Sequence, residues 1–242
     1  FNKIDYDISD LFVFRLDKFE TIFIAENNLA LLLGQHVKCN HIFNFFDLTG
    51  HPCGYVKNAN EKFNFKLEID KGITNGEELG GFTHHIEYPK TTLEKHSELL
   101  SDISFHHRGY TGYRRSNFFG YSYVHGNFGG LYFDNLNRLK SIARLRSKHI
   151  FTPQLIIKSD SSYDFLFSNP TNKNVNIKFF LINDDSSKII KSALLPPYAT
   201  HKTSLSNTII KKNCNISWET SFPIGRCIIF EYNSDFFDVF HS

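Results

Sequence analysis

Apolar and polar residues alternate over short stretches along most of the chain. "FETIFIAEN", "VKCNHIFNFFDLTG", "YDFLFSNPTNK" and "VNIKFFLINDDSS" each run a few alternating residues and then stop at Asn, Asp, Gly or Pro. A period of two bounded by turn formers predicts strands, and many such strands in series predict an all-β protein. The signals also recur in order. After the first strand–turn–strand unit come "YVKNA" at residues 55–59, "KFNFKLEID" and a glycine-led aromatic stretch from Gly120. After the second come "IIKSA" at residues 189–193, "THKTSLS" and a glycine-led stretch from Gly225. The expected architecture is a tandem pair of antiparallel β-sandwich modules, at residues 1–140 and 150–242. The basic stretch between them, "NLNRLKSIARLRSKH", reads as a solvated connector.

Aligning the two halves on their hairpin turns leaves the first module longer. The extra length is assigned to an insertion at about residues 71–119, which opens with the Gly- and Asn-rich "KGITNGEELGGF". Loops added to a sandwich are where function concentrates. Within this stretch "TTLEKHSELLSD" fits a short helix with Leu93, His96, Leu99 and Leu100 facing inward.

Composition narrows the class of protein. The 26 Phe and 11 Tyr among 242 residues suit pleated, half-buried surfaces. A formal net charge of +2 gives no general electrostatic footprint for nucleic acid. The longest apolar run, "LALLL", is far short of a bilayer span, and "FNKIDYDISD" lacks the pattern of a signal peptide. Cys39, Cys53, Cys214 and Cys227 form no CxxC pair, which argues against a zinc ribbon, and about the "DLTG" turn Cys53 falls opposite Asn44 rather than Cys39, so free, mostly buried thiols in a reducing, cytoplasmic compartment are expected.

The insertion and the strand after it carry the candidate chemistry. Tyr110, Tyr113, Tyr121 and Tyr123 offer flat faces with polar tips, suited to stacking on a sugar ring. Arg108 and Arg114 offer forked donors, and His107 and His125 complete a polar-aromatic ligand site. Tyr121, Tyr123 and His125 alternate, so they share one strand face. A second reading of the same residues is a metal centre for zinc or iron, with His85, His107 and His125 as ligands. No nucleophile elbow, phosphate-cradling loop or fixed metal-ligand spacing accompanies them, which argues against catalysis.

One resemblance bears on the second module. Its "FLFSNPTNKNVNIKFFLIND", "LPPYATHKTSL" and "SFPIGRCIIFEY" resemble the small β-sandwich of the sensory rhodopsin transducer family over residues 161–233. The resemblance implies a non-enzymatic sandwich that forms oligomers and binds a protein or small ligand. The expected role is therefore a binding or scaffolding protein for a glycan or other polar small molecule, acting as a homo-oligomer. The alternative is a metal-dependent enzyme built on the histidines.

Overall fold

The protein is all-β, as its alternation requires. A computed structural model describes residues 8–101, 106–107, 109–116, 118–134, 136–142, 148–183, 186–206, 214–221 and 227–241. The first half runs β1 (Ile8–Arg15), β2 (Phe19–Glu26), α1 (Asn28–Leu33), β3 (Cys39–Phe46), β4 (Pro52–Asn60), β5 (Asn64–Ile69) and β6 (Leu79–Glu87). It continues through α2 (Lys90–Lys95), α3 (Ser97–Leu100), β7 (His106–His107), β8 (Gly109–Arg115), β9 (Ser122–His125), β10 (Asn127–Phe133) and β11 (Leu139–Ser141). The second half comprises β12 (His149–Phe151), β13 (Ile156–Ile157), β14 (Ser162–Ser168), β15 (Val175–Asn183) and β16 (Ser186–Leu195). It ends with β17 (Thr200–Leu205), β18 (Cys214–Thr220), β19 (Ile228–Tyr232) and β20 (Phe237–His241).

Each half holds two sheets. In the first, β11-β10-β1-β6-β3-β4 lies opposite β5-β2-β8-β9, and the short β7 pairs in parallel with β1. In the second, β12-β18-β15-β16 is accompanied by β13 on β18, and the other sheet is β17-β14-β19-β20. Setting β1 beside β13, β2 beside β14, and so on to β9 beside β20 gives the same strand order in both halves, with β6 matching β18 and β8 matching β19. No sheet among the described residues mixes strands of the two halves.

This order relocates the insertion. Residues 71–119 are not one loop, because β6 and β8 lie inside them and are interior strands of the two first-half sheets. The excursion lies between those strands, at residues 88–108, where the second half has only 221–227. The Gly80–Gly81 pair looks like a turn in sequence, yet it is strand. A Cβ at Gly80 would collide with the Phe46 carbonyl oxygen and fall 2.8 Å from the Phe14 ring, so glycine lets three strands pack closely. The stretch after Gly120 likewise holds β9 and β10; the partner of β19 in strand order is β8. The connector also differs from expectation, since Leu139–Ser141 extends the first sheet as β11. The helix over residues 91–102 appears as α2 and α3, but Leu93 and Leu99 face outward rather than inward, at 39% and 46% exposure. Among the described residues no helix is long and apolar enough to cross a membrane. The four cysteines form no disulfide.

Four apolar clusters form the interior of the described residues: a small one of Leu29, Ala30 and Val37 around α1, and three larger ones. Phe12, Phe14, Phe23, Phe43, Phe45, Phe65 and Phe82 fill the first sandwich. Phe165, Phe167, Phe179 and Trp218 lead the second. The third joins the halves: Val13, Phe19, Leu79, Tyr113 and Val124 pack against Leu166, Ile228, Phe230 and Val239. β14 and β19 are therefore buried on both faces, with their odd and even positions in different cores.

Arg15 sits at the same junction and is 2% exposed. Its Nε donates to Asp17 at 2.8 Å, and its Nη2 donates to Asp164 at 2.5 Å. Asp164, also 2% exposed, accepts from Ser204 at 2.5 Å and from Tyr232 at 3.2 Å. The guanidinium lies 4.3 Å from the Phe19 ring centre and 4.6 Å from that of Phe230. Burial alone would lower its pKa, but the Asp17 hydrogen bond and the charges of Asp164 and Asp17 outweigh that and hold it above the ordinary value.

Removing one partner of a buried pair leaves the other charged and dry. Arg15→Met is therefore expected to cost about 3–5 kcal/mol, and Arg15→Met with Asp164→Leu to recover most of it. Urea unfolding followed by circular dichroism, and by fluorescence of Trp218, the only tryptophan in the chain, measures both. Equal losses in the single and double variants would contradict a dominant pairing effect.

Candidate functional site

Strand parity sorts the segment "GYTGYRR" of β8. Gly109, Thr111 and Tyr113 point into the protein, whereas Tyr110, Gly112 and Arg114 lie on the outer face of the β5-β2-β8-β9 sheet. Register then fixes their neighbours. Arg114 lies opposite Glu20, Gly112 opposite Ile22 and Tyr123, and Tyr110 opposite Ile24 and His125. On the other side of β2, Ile22 faces Glu68 and Ile24 faces Lys66. A polar and aromatic surface thus crosses four strands.

Its side chains are held in place by one another. A Cβ added to Gly112 would lie 2.6 Å from Tyr123 Cε1 and 3.0 Å from Ile22 Cγ1, so the Tyr123 ring lies over the glycine. Tyr110 and Tyr123 remain 54% and 46% exposed. Arg114 pairs with Glu20, and its guanidinium sits 4.9 Å from the Tyr121 ring centre. The Tyr121 hydroxyl donates to Glu20 at 3.1 Å, and the Tyr121 and Tyr123 rings are 6.1 Å apart. Lys66 pairs with Glu68 at 2.8 Å. Beside these residues runs a groove of about 390 Å³, lined by Glu20, Ile22, Glu68, Asp70, Arg114 and Tyr121 among others. The Arg114 hydrogen bond holds the Glu20 carboxyl below its usual range, while burial and then the Glu20 contact push the Tyr121 phenol up.

The fold brings Tyr110, Arg114, Tyr121 and Tyr123 together, and it separates them from other expected site residues. Tyr113 is fully buried, donates to the Val13 carbonyl at 2.8 Å and packs 4.8 Å from the Phe230 ring. It is a junction residue and not a ligand contact, because its odd position in β8 faces inward. His125 shares the strand face of Tyr123 but is half-buried, with its ring 4.5 Å from that of His241 on β20. His241 Nε2 meets the His125 carbonyl at 2.5 Å, and Ser122 donates to Asp238 at 2.6 Å, so the β9 and β20 edges lie side by side. Arg108 and the side chain of His107 lie outside the described residues.

The metal reading fares differently. His85 is buried on β6, its ring 5.2 Å from that of Phe133, while His125 lies on β9 in the opposite sheet. Among the described residues no group of three or more His, Cys, Asp or Glu side chains is placed to hold a metal ion. A different pair of histidines meets: His84 Nε2 lies 2.8 Å from His41 Nδ1, with both residues fully buried beside Phe23, Phe43 and Phe65. The alternation of "CNHIFNFF" puts His41 inward with Phe43 and Phe45, a signal the sequence does carry. Glu20 and Gly112 were also missed, since their roles depend on register between strands far apart in the chain.

No protein-family model and no curated protein matches this chain. Among solved structures, a "Structure of infectious bursal disease virus Gx strain" matches at 8% identity and a TM-score of 0.18, over 97% of this chain and 55% of that one. The chain thus spans little more than half the length of the chain it matches, and a similarity this low carries no argument about fold or role.

Glu20 links Arg114 to Tyr121, so the site should respond to acid. Its folded pKa lies below the ordinary 4.5. The pair's stabilisation is then present above that value and is lost as the pH falls through the depressed pKa. NMR of the Tyr121 ring should show one transition below pH 4.5, absent in Glu20→Gln. An unchanged transition in Glu20→Gln would assign it to another carboxylate.

Proposed function

We propose that this protein is a non-catalytic binding or scaffolding module that recognises a glycan or another polar ligand on the outer face of β5-β2-β8-β9. The observation that carries the reading is the pair of half-exposed tyrosines, Tyr110 and Tyr123, set in a face whose other polar groups are already positioned by hydrogen bonds. Tyrosines held this way contribute contact area at little entropic cost. The carboxylates of the face, Glu20 and Glu68, are engaged by Arg114 and Lys66, which disfavours acid–base work there.

We further propose that the two halves are copies of one module, for which the shared strand order is the support. The resemblance of residues 161–233 to the sensory rhodopsin transducer sandwich fits a binding role and assembly with further copies. Four cysteines without a disulfide fit a reducing, cytoplasmic setting.

A thermal-shift screen of glycans and polar small molecules, run on the native chain and on Tyr110→Ala/Tyr123→Ala, tests the reading. Exposed side chains typically change stability by about 0.5 kcal/mol each, so the double variant should melt within a few degrees of the native chain. A ligand-induced shift should appear only in the native chain. A large fall in melting temperature with no ligand of any kind would instead make the face a structural element.

A further inference from the structure

We infer that the ligand of this face is a neutral, extended glycan, stacked on Tyr123 and Tyr110 and running parallel to β8 and β9. The inference rests on the binding role proposed above and specifies its ligand. Three observations lead to it.

The first is the attitude of Tyr123. A tyrosine on an outer sheet face normally stands away from the sheet, because its cross-strand neighbour has a side chain. Here the neighbour is Gly112, and the Tyr123 ring occupies the space a Cβ would take. The Cδ1–Cε1 side of the ring lies against the glycine while the residue stays 46% exposed, so the ring sits low on the sheet and within reach of solvent. Sugars bind such surfaces through the C–H groups of a pyranose face, and that contact needs a flat, accessible ring.

The second is the spacing. Tyr110 and His125 form one cross-strand level, Gly112 and Tyr123 the next, and Arg114 with Tyr121 follows. Each level contributes one tyrosine, and adjacent levels are about 6–7 Å apart along the strands. That step is close to the length of one sugar unit in an extended chain. Arg114 covers one face of Tyr121 and closes the row, so the platform accommodates about two to three units over roughly 13 Å.

The third is charge. Arg114 is paired with Glu20, Lys66 with Glu68 and Lys71 with Glu78. Among the described residues of the face and groove, each of these cations already has a carboxylate. A uronate or sulfate would be repelled by the carboxylate already seated on each cation, whereas sugar hydroxyls add hydrogen bonds to both members of the pair.

Native gels containing soluble neutral polysaccharides (a β-glucan, a xylan or a galactomannan) and parallel gels with heparin or polygalacturonate test the inference on the full chain. The expected result is retardation by at least one neutral polymer, unchanged by high salt. Tyr123→Ala should weaken it at least about tenfold, and Tyr123→Phe should retain it. Gly112→Ala, which pushes the Tyr123 ring off the sheet, should also weaken binding while circular dichroism stays native. Retardation only by the anionic polymers, and only at low salt, would overturn the neutral class while leaving the proposed polar-ligand face intact. Neutral-polymer binding that is equal in Tyr123→Ala and the native chain would overturn the platform. No retardation in any gel would overturn the inference, and the broader ligand screen then decides separately whether the face binds anything.

Discussion

A guanidinium shielded from water needs its counter-charges within reach, and Arg15 meets that requirement only when the two halves are docked in one way. Asp17 comes from its own half and Asp164 from the other, 149 residues away in sequence. Phe19 and Phe230 supply the ring faces, again one from each half. A buried pair of this kind gains little over an apolar replacement, yet it penalises every arrangement that leaves one charge without the other. The apolar junction of Tyr113, Leu166 and Phe230 supplies attraction without direction. The ion pair adds direction. The contact between the β9 and β20 edges follows from that docking.

Most of the strand pattern was legible because one-sided burial writes itself into sequence. β5 reads exposed–buried throughout "NFKLEI", and β3 buries every second residue of "CNHIFN". β6 was lost for the opposite reason. Eight of its nine residues are buried, so "LGGFTHHIE" shows no alternation, and its glycines and paired histidines resemble a loop. With β6 unread, the insertion was placed around it. The site was legible to the same degree. Alternation puts Tyr121 and Tyr123 on one face, and the structure keeps them there. Tyr110 and Tyr113 are three residues apart in one strand and therefore point to opposite sides, a separation that only the location of β8 reveals. Gly112 beneath Tyr123, and Glu20 between Arg114 and Tyr121, depend on which strands are neighbours. That information is spread over about a hundred residues of chain and leaves no local trace.

The two halves use the same sheet differently. In the second half, β17-β14-β19-β20 is covered on its outer side by the first half, and Asp164, Leu166, Ile228 and Phe230 are enclosed there. In the first half, the sheet of the same strand order keeps that side open, with Tyr110 and Tyr123 in reach of solvent. Side chains enclosed on both faces of a sheet cannot change size or charge without disturbing one core or the other. Exposed side chains on the open face, such as Glu20 and Tyr110, carry no such restriction. Docking has thus divided the evolutionary freedom of the two sheets unequally: one is fixed as framework, and the other can vary its exposed side chains while the architecture beneath them stays the same.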